Sequence, residues 1–180
     1  MMKRRGFSID GCEGKLMEHF VLDAYCGLYC GACEILSAYR ESLLTMRMPV
    51  WNDLPKRFSK YIKPAEIKCH GCKSGVVFEG CGGCGIRKCA RERQVDFCFE
   101  CGEYPCSRID EMMANIEKFK KILPHTGAIV NDLPEIQRQG KAVWLENQRQ
   151  YWSCEKCGAP VTWYQKRCKS CGGRVGRFRW

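Results

Sequence analysis

Six Cys-x2-Cys pairs, several stretches of helical periodicity and a short basic C-terminal segment predict a small metal-stabilised α+β fold. In that fold a cysteine-rich multi-zinc domain with packed helices is followed by a helical linker and a C-terminal zinc ribbon. The chain divides as 1–23, an N-terminal arm; 24–123, the cysteine-rich metal-binding domain; 124–150, the helical linker; and 151–180, the ribbon with its basic tail.

Sixteen cysteines in 180 residues imply either a disulfide scaffold or a set of metal sites. The first residues, MMKRRGFSIDGCEG, are basic like a secretory signal, but no apolar run follows, and Glu18, His19 and Asp23 interrupt the next candidate. No stretch approaches the roughly 18 apolar residues of a membrane span. The expectation is a cytoplasmic protein that does not enter a membrane, where thiols stay reduced and bind metal.

The elements follow in order. EILSAYRESLLTMRM places Ile35, Leu36, Tyr39, Leu43, Leu44 and Met46 at helical spacing. WNDLPKRFSKYI reads as a shorter helix starting near Asn52 or Asp53, among Pro49, Pro55 and Pro64. SRIDEMMANIEKFKKIL sets Ile109, Met112, Met113, Ile116, Phe119 and Leu123 on one face. Its acidic start and lysine-rich end suit the helix dipole, and its methionines read as core. LPEIQRQ and GKAVWLENQRQYW read as two further helical segments divided by Gly140.

The sharpest metal signal is Cys154-x2-Cys157 followed by Cys168-x2-Cys171, each pair trailed by glycine. A Cys-x2-Cys turn puts two sulfurs on one side of a tight loop, and a following glycine supplies the positive φ that the exit requires. Two such turns complete a tetrahedron of thiolates around zinc, with APVTWYQKR as the strands of the linking hairpin. A closed site of this kind is structural, because so small a segment cannot otherwise bury enough surface to fold.

Further upstream, Cys30 and Cys33, Cys69 and Cys72, Cys81 and Cys84, and Cys98 and Cys101 form four more pairs. Two extend into a repeat, CGGCGIRKC ending at Cys89 and CFECGEYPC ending at Cys106, each third cysteine expected just before a helix. With Cys26 these make eleven candidate ligands, which do not divide by four. Either Cys12 or His70 completes a third site, or one cysteine is free or one site has fewer thiolates; Cys26, Cys30 and Cys33 call for a fourth ligand, for which Cys106 is the expectation. Three to four zinc ions are expected in all, with an iron–sulfur cluster as the alternative use of the same thiolates.

The formal charge of +10 is weak evidence for nucleic acid. Zinc held by four thiolates is a dianion, so four such sites would bring the total to roughly +2. The ribbon is nevertheless locally basic, and Arg174, Arg177, Arg179 and Trp180 are candidate contacts to RNA or single-stranded DNA. Against this stands packing of Trp163, Tyr164 and the tail aromatics within the small ribbon.

The run YCGLYCGAC, then CHGCKSG, CGGCGIRKCARERQV and CFECGEYPCSRI, resembles a cysteine-rich prokaryotic domain family of unknown function over Ala24 to Ile122. Its members often carry a C-terminal extension like KAVWLENQRQYWSCEKCG leading into a zinc ribbon. The resemblance implies metal binding, with zinc the expected ion, and supplies no established reaction. Cys12 lies outside the matching region.

Two enzymatic readings of YCGLYCGAC meet obstacles. A radical S-adenosylmethionine enzyme needs repeated βα units, for which no room remains between the cysteine turns. A thioredoxin-type CGAC needs a surrounding βαβ unit. The histidines His19, His70 and His125 are scattered, and neither a phosphate-cradling loop nor a zinc-protease motif is present. The reading therefore leans against an enzyme and toward a zinc-binding interaction or regulatory module with a protein partner; redox chemistry and nucleic-acid binding are the alternatives.

Overall fold

The computed structural model describes residues 20–176; Cys12, His19, Arg177, Arg179 and Trp180 lie outside them. Seven α-helices are formed in the described chain: α1 (Glu34–Thr45), α2 (Lys56–Ser59), α3 (Glu79–Gly82), α4 (Gly85–Glu92), α5 (Ser107–Phe119), α6 (Ile129–Gln139) and α7 (Lys141–Tyr151). Among the described residues β structure is confined to three isolated antiparallel bridges, Asp23 with Tyr29, Ser153 with Pro160 and Arg167 with Arg174. The fold is thus helix-rich, and the β half of the expected α+β class shrinks to single bridges. Cysteine turns close on themselves within a few residues and leave little backbone to extend a ladder.

The periodic segments form helices, with shifted ends. α1 stops at Thr45, where Met46 takes a left-handed φ of +54°, so Leu44, Met46 and Met48 stand exposed instead of joining the core. WNDLPKRFSKYI breaks into a 3-10 turn at Trp51–Asp53 and the single turn α2, because Pro55 disfavours helical conformation at Leu54. α5 buries Ile109 and Ile116 and leaves Met112 and Met113 half-buried and Phe119 exposed. α6 and α7 meet at Gly140, whose φ is +85°.

One core joins the two ends of the chain. Phe20, Leu22, Tyr29, Ile35 and Leu36 pack with Leu133, Ile136 and Trp144 from α6 and α7, and with Trp152, Trp163 and Tyr164 beyond them. Trp144 is 1% exposed and meets Tyr29 edge to face. A second cluster, Tyr25, Ile86, Ala90 and Ile109, packs α4 against α5.

Backbone bonds dock the C-terminal segment onto the YCGLYCGAC region. Trp163 N–H donates to the Ala32 carbonyl at 3.0 Å, and Tyr164 N–H donates to the Glu34 carboxylate at 2.7 Å. At Trp163 and Tyr164, in the segment expected to form hairpin strands, the backbone therefore bonds to residues at and just before the start of α1 instead of to a partner strand. Trp163 and Tyr164 are buried, with Trp163 stacked on His125 at 4.0 Å between ring centroids, so these two aromatics are core side chains.

Candidate metal centres

In the C-terminal segment each cysteine pair builds the same small module. Cys154 N–H bonds the Ala159 carbonyl, Gly158 N–H returns to the Cys154 carbonyl, and Val161 N–H reaches Trp152. The same three bonds recur at Cys168, Gly172 and Val175 with Gly173, Cys168 and Lys166 as acceptors. Gly158 and Gly172 have φ of +72° and +68°, the left-handed exits expected from the sequence.

The two modules face each other so that all four sulfurs lie within 4.8 Å of one another. Cys154 Sγ is 3.7 Å from Cys171 Sγ, and Cys157 Sγ is 3.6 Å from Cys168 Sγ. A zinc–sulfur bond of about 2.3 Å gives a tetrahedral edge of about 3.8 Å, so the four thiols fit a single ion. Backbone N–H groups of Cys171 and Ser170 point at Cys168 and hold its thiol below the ordinary range, while hydrogen bonding among the four thiols raises Cys157. Two ligands, Cys154 and Cys168, are buried, while Cys157 is exposed.

The eleven cysteines from Cys26 to Cys106 are arranged differently. Among the described residues the C-terminal four are the one set in which three or more candidate ligands gather within 4.8 Å. The described cysteines are free thiols, none in a disulfide. Burial pushes Cys26 and Cys81 up to about 12 and raises Cys30 and Cys33 as well. Neighbouring thiols add to the rise. Cys26 feels Cys72 and Cys84; Cys30 feels Cys33 and Cys72; Cys33 feels Cys81 and Cys69. These thiols thus form one neighbourhood, in which burial and mutual repulsion disfavour the thiolates of Cys26, Cys30, Cys33 and Cys81. A bound cation reverses that balance, since it stabilises the thiolates that repel each other. The same burial makes Cys30 and Cys33 poor nucleophiles, and no strand flanks them, so the thioredoxin-type context is missing among the described residues.

Cys106, expected beside the Cys26 triplet, lines a cavity of about 90 Å³ with Cys89, Cys98 and Cys101. Burial pushes the Cys98 thiol up to about 12, with Cys106, Cys89 and Cys101 adding repulsion. The repeat that supplies these cysteines is not symmetric in three dimensions. Cys106 precedes α5 as its N-cap, as expected, but Cys89 sits within α4, because that helix already starts after Cys84.

Charged side chains that spacing does not reveal hold these turns. Lys73 is buried against Asp23, bonds Asp96 at 2.7 Å and stands 3.7 Å from the Phe97 ring centroid. Lys141 of α7 reaches Asp96 at 3.1 Å and Asp23 at 3.4 Å. Arg87 of α4 donates to the carbonyls of Cys72 at 2.8 Å and Ser74 at 3.1 Å, clamping the second cysteine turn. His70 packs its ring against Phe20 and Tyr39, with centroids 5.0 and 5.5 Å away. Arg174 is exposed beside Glu155 on the outer side of the C-terminal site.

No helix in the described chain is long and apolar enough to cross a membrane. No curated protein and no solved structure matches the chain. Residues 22–111 match the family described as "Protein of unknown function (DUF3795)". With half its length in that match, and four of the six Cys-x2-Cys turns inside it, the chain belongs to the DUF3795 family, a domain family of unknown function.

Proposed function

We propose that this protein is a zinc-scaffolded interaction module of the cytoplasm, with a structural zinc ion held by Cys154, Cys157, Cys168 and Cys171. The observation that carries this reading is the pair of sulfur separations, 3.7 and 3.6 Å, which suit one tetrahedral ion with no open position. The ion would stabilise more than its own segment, because Trp163 and Tyr164 between the two turns pack into the shared core. A protein partner is the expected use of the exposed Leu44, Met46, Met48 and Val50, which stand 47%, 90%, 83% and 51% exposed in one short segment.

The test is metal analysis of the purified chain with thermal melting before and after chelation. One tightly held zinc that disappears in Cys154→Ser, together with a large drop in melting temperature on chelation, supports the reading. A chain that carries no zinc and melts unchanged with chelator defeats it. An iron–sulfur role is the second reading, favoured by the wider spacing of the upstream thiols. RNA binding through Arg174 and the tail predicts affinity that falls steeply with salt, which a titration with single-stranded RNA measures.

A further inference from the structure

The cavity between α4 and the start of α5 has a build that the ribbon lacks. Three of its thiols come from one segment: Cys98 opens the 3-10 turn Cys98–Glu100, Cys101 follows it, and Cys106 caps α5. The fourth, Cys89, comes from within α4. Apolar walls from Ile86, Val95, Tyr104 and Ile109 complete the lining. At the rim Arg93 donates from Nη1 to Cys101 Sγ at 3.7 Å, while its Nη2 pairs with Glu103 at 2.7 Å.

Size separates the cofactors that four thiolates could hold. The ribbon thiols stand at the edge length of a single-ion tetrahedron. No three thiols of the Cys89 set lie within 4.8 Å of one another, and with nine other residues they line a partly open cavity of about 90 Å³. A lone zinc ion would leave that space unfilled. A cube of iron and sulfide holds its four cysteine sulfurs farther apart and fills a void of this kind. Its net negative charge with four thiolates suits a guanidinium at the rim and a helix N-terminus at Cys106, and hydrogen bonds to ligand sulfur are a known means of tuning such clusters.

We propose that Cys89, Cys98, Cys101 and Cys106 ligate a four-iron, four-sulfide cluster in this cavity, with Arg93 bonded to the Cys101 sulfur. The proposal rests on the reading of the chain as a metal-scaffolded protein and names the cofactor of one of its sites. Cluster binding displaces four thiol protons to solvent and leaves the ribbon site unaltered.

The test uses the full chain purified without oxygen and reconstituted with ferrous and ferric iron in equal amounts and sulfide, followed by iron, sulfide and zinc analysis and an absorption spectrum. The Cys98→Ser, Cys101→Ser double variant is expected to lose about four iron and four sulfide relative to the wild type while keeping its zinc. The Cys154→Ser, Cys157→Ser variant is expected to lose zinc and keep iron. A colourless wild type that binds only zinc overturns the cluster and leaves the scaffold reading standing; a chain that binds no metal at all overturns both. A Cys98, Cys101 variant that retains wild-type iron and sulfide also overturns the assignment.

Alkylation of the wild type guards against a variant that does not fold. In cluster-loaded protein Cys89, Cys98, Cys101 and Cys106 should resist N-ethylmaleimide, and all four should become reactive together as the brown colour bleaches. Labelling of any one of the four in fully coloured protein overturns the set.

Discussion

In the ribbon, sulfurs from two turns face each other at 3.6 and 3.7 Å, and each turn is closed by hydrogen bonds within its own few residues. Between Cys26 and Cys106, thiols of similar Cys-x2-Cys turns stand farther apart, lie against different helices and feel neighbours from distant segments. The same sequence unit therefore produces a self-contained site in one region and a distributed one in the other. What differs is the surroundings. The ribbon turns pair with a copy of themselves, whereas the upstream turns are gripped from outside by Arg87, by Lys73 with Asp23 and by the α4–α5 cluster.

The largest expected effect comes from breaking the ribbon. Cys168→Ser removes a buried thiol of the C-terminal four, and zinc binding on the order of 10 kcal/mol is expected to be forfeited. Loss of one equivalent of zinc with a collapsed melting transition is the expected result. A second substitution strikes the distributed region instead. Lys73→Met leaves Asp23, with a side chain only 3% exposed, facing Lys141 alone, and should lower stability by about 3 kcal/mol without releasing the ribbon zinc. Chemical denaturation alongside zinc analysis separates the two regions, since the first variant loses metal and the second does not.

A smaller effect sharpens the local side of the contrast. Gly172→Ala forces a side chain into φ +68°, a strain of about 1 kcal/mol, with nothing nearby for the added Cβ to strike. Zinc affinity should fall by several-fold, measured by competition with a chromogenic chelator, while the upstream sites stay unchanged.

A pH-dependent effect lies at the seam between the regions. His125 is buried against Trp163, with Nδ1 2.5 Å from the Tyr164 hydroxyl, and burial lowers its pKa to about 3. The unfolded chain takes up the proton near 6.5, so this histidine's contribution is intact above that pH and is lost progressively as pH falls toward 3. The slope is at most about 1.4 kcal/mol per pH unit. The stability of His125→Gln should change less between pH 6.5 and 5 than that of the wild type, and equal slopes would refute the assignment. Comparing the two proteins cancels the acid sensitivity that both share through their metal sites.

Much of this was legible in the sequence. The periodicity of residues 107–119, the break at Gly140 and the left-handed glycines after Cys157 and Cys171 are consequences of a few adjacent residues, and the structure reproduces them. Other readings failed where distant groups compete. APVTWYQKR alternates like a strand, yet Ala32 and Glu34 take the backbone N–H groups of Trp163 and Tyr164. Met46 keeps helical spacing with Ile35 and Tyr39, yet it lies past the helix end and 90% exposed.

By itself, then, the sequence determined which four C-terminal cysteines come together and the positions of the longer helices. These depend on turn geometry and periodicity, which act over one or two turns of chain. Only the tertiary structure decided that Cys89 shares a cavity with Cys98, Cys101 and Cys106, that Lys141 meets Asp23, and that the C-terminal turns dock on the start of α1. Those partnerships arise from how apolar faces pack, and packing brings together residues whose separation in sequence carries no signal.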